Sequence, residues 1–185
     1  MSERETGDGA GRRAGVLCAV VIVLLSAAVF GAVARNGILW WDDRYHIVEN
    51  PWFKQIDVQS FAHFWGEPYG NLYIPVAYNA FAAEVWLTQT ATGESQIERL
   101  SPMLLQVAKV PLHAAAALMV WLLIRRLVRN DLAAMAGALV FALHPLQAES
   151  VAWISETRGL LGAVFGLACV LALERAVMPV PPRAV

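Results

Sequence analysis

Residues 14–33 form twenty consecutive positions without one charged side chain, and Arg12 and Arg13 stand just before them. About 20 helical residues cross the roughly 30 Å of hydrocarbon in a bilayer, because each adds 1.5 Å. The segment Ala32-Val33-Ala34 has the look of a signal-peptide cleavage site. The apolar core is nevertheless longer than the 7–15 residues of a secretory signal, so we read a retained membrane anchor.

Three more apolar runs follow, at 104–124, 132–143 and 159–173. Lipid offers no partner to a free backbone amide, so each run is expected to be helical. The expected fold is therefore all-α, a polytopic membrane protein of about four spans within 14–173, flanked by end segments 1–13 and 174–185. Composition agrees: 58% of the 185 residues are hydrophobic and 16% are charged, where soluble domains carry about 25% charge. A net charge of −1 gives no basic excess for nucleic acid, and the two cysteines, Cys18 and Cys169, lie inside apolar runs. Arginines near the span ends set orientation. Arg12–Arg13, then Arg125, Arg126 and Arg129, then Arg175 share one side if four spans alternate. This predicts a multi-pass cell (inner) membrane protein with a cytoplasmic N-terminus.

The segment 36–102 is long for a connection and holds five of the seven tryptophans and all four tyrosines. Such rings favour the headgroup level, so the loop is expected to lie on the outer interface. Within it 74–87 should be helical, with Pro75 in the first turn and an end near 88–93. His46 and His63 are expected at its surface. The loop is acidic, with Asp42, Asp43, Glu49, Asp57, Glu67, Glu84, Glu94 and Glu98. Most of these read as a solvated face.

Asp42 and Asp43 differ, lying close behind the first span among aromatics. Two adjacent acids there can supply a general base, hold a divalent cation through oxygen, or cap a helix start. No histidine or third carboxylate completes a metal site. Lys109 and His113 share one face of the second span, where a lysine can snorkel to the surface. Glu149 and Glu156 are seven apart, which places them on one face of a continuous helix. Ionisable groups at membrane depth are functional candidates.

The order Trp41-Asp42-Asp43, Ile47, Asn50-Pro51, then Phe64-Trp65, Tyr73, Pro75 and Ala80-Phe81, then Leu112-His113 through Arg126, ends in a long stretch from Phe141 to Glu156. Together these resemble the transmembrane and tetratricopeptide-repeat O-mannosyltransferase-like proteins, GT-C-type membrane glycosyltransferases related to the protein O-mannosyltransferases. The likeness covers roughly residues 36–173. It departs at Ile74, at Gln147 and at Thr157-Arg158-Gly159, where the family carries further basic, histidine and acidic residues. It implies transfer of a sugar, typically mannose, from a polyprenyl-phosphate carrier to a hydroxyl acceptor on protein or glycan at the outer membrane face. The catalytic residue would be Asp42 or Asp43, with Asp42 preferred as the base and Asp43 as its polar partner. Arg158 would meet the carrier phosphate, its plain alternative being an ion pair with Glu156. Glu149, Glu156, His144 and Lys109 complete the candidate substrate-binding set, although His113 and His144 also suit interhelical hydrogen bonds. Beyond the lipid-linked sugar, no cofactor is expected with certainty, the divalent cation being one reading of the acid pair. Family members are longer, so the chain is expected to be the N-terminal part of such an enzyme, with a second chain as one source of further spans. A non-catalytic protein that keeps the family scaffold is the alternative.

Overall fold

The structure, a computed structural model, describes residues 2–39, 41–94, 99 and 102–177, with backbone alone at 2–10, 102 and 104. Trp40, Glu98 and 178–185, which entered the sequence reading, lie outside the described residues. The described chain is helical, and its one bridge, between Tyr69 and Leu72, closes a two-residue turn at Gly70 and Asn71. Both central residues have positive φ, 58° and 62°. The first is glycine for a second reason: a Cβ there would stand 2.5 Å from the Tyr45 ring.

Helix α1 (Ser2–Phe30) continues as a 3₁₀ turn, Gly31–Arg35. The loop then builds α2 (Val58–Gly66) and α3 (Pro75–Thr92), joined to short turns at Arg44–Val48 and Pro51–Phe53. After α4 (Pro102–Val107) come α5 (Lys109–Val128), α6 (Asp131–Leu143), α7 (Gln147–Ala152), a 3₁₀ turn at Ile154–Glu156, and α8 (Thr157–Val177).

Among the described residues, three stretches are long and apolar enough to cross a membrane: Gly11–Arg35, Leu105–Val128 and Ile154–Val177. The expectation of four spans is corrected here. The third apolar run forms α6, whose 13 residues extend only about 20 Å. Its start is fixed by the Asn130 side chain, which accepts hydrogen bonds from the Leu132 and Ala133 amides at 3.0 Å. Its end is fixed by Pro145, which drives His144 into extended backbone with ψ 135°. Even so, α6 runs antiparallel to α5. Asp131 at its start pairs with Arg125, and the Ala142 carbonyl at its end accepts from His113 Nε2 at 2.8 Å. Helix α8 then returns the chain, with Thr157 beside Lys109 at one end and Glu174 paired to Arg126 at the other.

The bundle interior is made of small residues. Ala117, Ala134, Ala138 and Ala142 are fully buried beside Cys18, Ile22 and Trp121. Leucines and valines such as Leu17, Leu24, Val140 and Leu173 face outward. The loop region does the opposite, burying Phe53, Phe64, Tyr78 and Phe81 in an aromatic core. Phe64 stacks on Tyr78 at 4.8 Å between centroids. This cap is fastened by a reciprocal box at the start of α2, where Asp57 accepts from the Ser60 amide at 2.8 Å and the Ser60 hydroxyl accepts from the Asp57 amide. Helix α3 has Pro75 in its first turn and Gly93, at φ 70°, just past its end, as the sequence suggested.

Candidate functional site

The two aspartates have different surroundings. Asp43 is buried, 1% exposed, and both of its oxygens accept from backbone amides. Oδ1 takes the Ser155 N–H at 2.8 Å; Oδ2 takes Leu39 at 3.2 Å and Ile154 at 3.4 Å. The carboxylate therefore caps a helix start, as one sequence reading held, but the helix belongs to the chain more than a hundred residues on. An anion at this position also meets the positive end of the α8 dipole. Asp43 clasps the first loop to the entrance of α8.

Asp42 stays at the rim, its side chain about one-third exposed. Its Oδ2 accepts from Arg158 Nη2 at 3.4 Å, and the same nitrogen donates to Glu156 Oε1 at 3.0 Å. The outcome is an acid–guanidinium–acid row, open on one side. Arg158 reaches it because Asp43 fixes residues 154–155 against the loop. Glycine at 159 keeps the row compact, since a Cβ there would lie 2.9 Å from Glu156 Oε2.

Beneath the row lies a second, enclosed set. Lys109 is fully buried and donates to the Thr157 hydroxyl and, at 3.4 Å, to the Leu105 carbonyl. The Thr157 hydroxyl in turn donates to the Ile154 carbonyl at 3.0 Å. Glu84 Oε2 of α3 stands 4.0 Å from Lys109 Nζ, an ion-pair distance too long for a hydrogen bond. Burial pushes the Glu84 carboxyl up to about 7 against the opposing pull of Lys109. Lysine snorkelling is thus replaced by internal pairing. Ser155 Oγ and Gln106 Oε1 are also buried without a hydrogen-bond partner among the described residues.

His46 is buried and not at the surface, with Nδ1 2.8 Å from the Tyr78 hydroxyl. That hydroxyl donates to the Tyr69 carbonyl at 3.1 Å, so the imidazole supplies the other hydrogen bond as Nδ1–H. Burial lowers the His46 pKa, while Asp42 and Asp43 pull it up and Arg158 adds to the lowering. Burial raises the Tyr78 hydroxyl to about 12. His63 is instead stacked under Trp52 at 3.8 Å between rings.

Of the sequence candidates, Asp42, Arg158 and Glu156 come together, with Asp43 and Lys109 joined to them through residues 154–157. Glu149 and His144 do not join this group. Both are exposed around α7, where the His144 Nδ1 accepts from the Leu146 amide at 3.2 Å. Glu149 and Glu156 do not share a continuous helix, because Trp153 takes extended backbone (φ −97°, ψ 131°) between α7 and the turn that follows. Glu84 and Thr157 were missed as partners of Lys109. The available signal was a lysine inside an apolar run, which requires an acceptor, with an acid on the apolar helix 74–87. No group of three or more histidine, cysteine or acidic side chains able to hold a metal ion occurs among the described residues. With the Asp43 oxygens occupied by amides, a cation at the pair would rely on Asp42.

Compared with protein-family models, curated proteins and solved structures, the chain matches none.

Proposed function

We propose that the chain carries the base-bearing part of a membrane glycosyltransferase acting on a polyprenyl-phosphate sugar, mannose by the sequence resemblance. The observation that carries this reading is the Asp42–Arg158 pair at 3.4 Å, which sets a partly exposed carboxylate beside a phosphate-binding type of side chain. In the reaction, Asp42 takes the proton of the acceptor hydroxyl as its oxygen bonds the anomeric carbon. The bond from that carbon to the phosphate oxygen breaks, and the polyprenyl phosphate leaves with the electron pair. Arg158 meets Asp42 and Glu156 through Nη2, and among the described residues its other donors stay available for that phosphate. Asp43 is a positioning residue. Exposed Trp41, Trp65, Trp86 and Tyr73 support a cap resting at the headgroup level of the outer face. The shared end of Arg12, Arg126 and Arg175 supports a cytoplasmic N-terminus in the cell membrane.

The test is transfer of labelled sugar from polyprenyl-phosphate mannose in membranes carrying the chain. Asp42→Asn should abolish transfer with the thermal midpoint unchanged, and Arg158→Lys should raise the donor KM. Full transfer by Asp42→Asn would overturn the assignment. A second reading, a non-catalytic scaffold, is favoured by the Asp43 clasp, which makes the acidic segment a structural tie. It expects no transfer in any variant and loss of folding in Asp43→Ala alone.

A further inference from the structure

The opposite end of the bundle contains a groove that the proposed chemistry does not use. Gly11, Arg12, Gly15 and Val16 of α1 form one wall, and Trp121 and Arg125 of α5 form the other. Arg125 is held in place from two sides. Its Nη2 reaches Asp131 Oδ2 at 3.3 Å alongside the Nε–Oδ1 contact, and its guanidinium lies 5.1 Å from the Trp121 ring centroid. Gly15 lets that guanidinium approach α1, since a Cβ there would stand 3.3 Å from both Nη atoms. Arg12 and Arg13 are exposed, and neither has an ion pair among the described residues. Among the described residues, the acids at this end are paired, Asp131 with Arg125 and Glu174 with Arg126. Among the described residues, no acid therefore neutralises Arg12 in the groove.

Its continuation is apolar. A shallow furrow runs from Arg12 and Arg13 along Val16, Leu17 and Val20, and another follows from Val20 to Val23 and Leu24. A headgroup-sized basic mouth opening onto an apolar track along a span has the polarity of a single lipid molecule. We propose that this groove binds one glycerophospholipid with a net negative headgroup, its phosphate between Arg12 and Arg125 and an acyl chain along α1. Charge complementarity selects the anionic class: a choline or ethanolamine head would bring a cation onto the same guanidiniums. General attraction of basic flanks to acidic membranes needs no groove and no fixed stoichiometry. A fitted site holds its lipid outside the bilayer.

Native mass spectrometry of the protein released from nanodiscs of mixed phosphatidylglycerol and phosphatidylcholine tests this. One phosphatidylglycerol should be retained in preference to phosphatidylcholine. Arg12→Gln should lower its retention about tenfold, the loss of one charge-assisted contact. Arg175→Gln removes an equal charge at the same end but outside the groove, and should leave retention unchanged. Arg12 is exposed and makes no ion pair among the described residues, so its substitution does not touch the core. Equal losses in the two variants, or equal retention of the two lipids, would overturn the site. Displacement of the lipid by millimolar inorganic phosphate would show a plain anion site and overturn the lipid assignment.

Discussion

The cap and the bundle bury opposite kinds of residue. The cap hides Phe53, Phe64, Tyr78 and Phe81, whereas the bundle hides Ala117, Ala134, Ala138 and Ala142 and turns its leucines and valines outward. In water, large apolar side chains go inside because that removes the most area from solvent. In lipid that drive between helices is absent, and close backbone approach through small residues takes its place. One chain of 185 residues therefore obeys two sets of packing rules, and the seam between them is where Asp42, Asp43, Lys109 and Glu84 collect.

The contrast can be broken first in the cap. Phe64→Ala should cost about 4 kcal/mol through lost burial and the cavity left behind, read as a fall in unfolding midpoint in detergent. The seam comes next. Asp43→Ala strips three amides of their acceptor and should cost about 3 kcal/mol, while Asp42→Ala removes a rim contact and should cost under about 1 kcal/mol. Equal effects for the two aspartates would erase the distinction drawn between them.

Acidity probes the same seam from below. The Glu84 carboxyl is raised from 4.5 to about 7, so between these values the folded protein binds more protons than the unfolded chain. Its stability contribution is therefore complete below pH 4.5 and is lost as pH rises through 7, a fall of about 3 kcal/mol. Glu84→Gln should flatten that part of a stability–pH profile. Inside the bundle, Ala138→Leu should cost about 2 kcal/mol by forcing α5 and α6 apart, whereas Val140→Ala on the outer face should change little.

The long apolar runs were legible because bilayer thickness leaves one solution for twenty uncharged residues. Helix α3 was legible from Pro75 and Gly93, local punctuation that acts within a turn. The third apolar run is too short on the same scale, because Asn130 and Pro145 limit α6 more tightly than hydropathy suggests. The site was only half legible. Asp42, Asp43 and Arg158 stand out as charges near membrane level, but the division of labour between the aspartates depends on amides 111 and 112 positions away. No local pattern carries that pairing. His46 was placed at the surface because its partner, Tyr78, is 32 residues off and supplied by another helix. Glu149 and Glu156 were grouped by helical period, which the extended Trp153 interrupts.

The clasp at Asp43 also imposes a schedule on biogenesis. Two of its three partner amides are made 111 and 112 residues later. At 5–20 residues per second the ribosome needs roughly 6–20 s to supply them. Throughout that interval the Leu39 amide serves Oδ2 without them, so the clasp closes only once residues 154 and 155 have been made. A chain halted before residue 154 would leave this latch open.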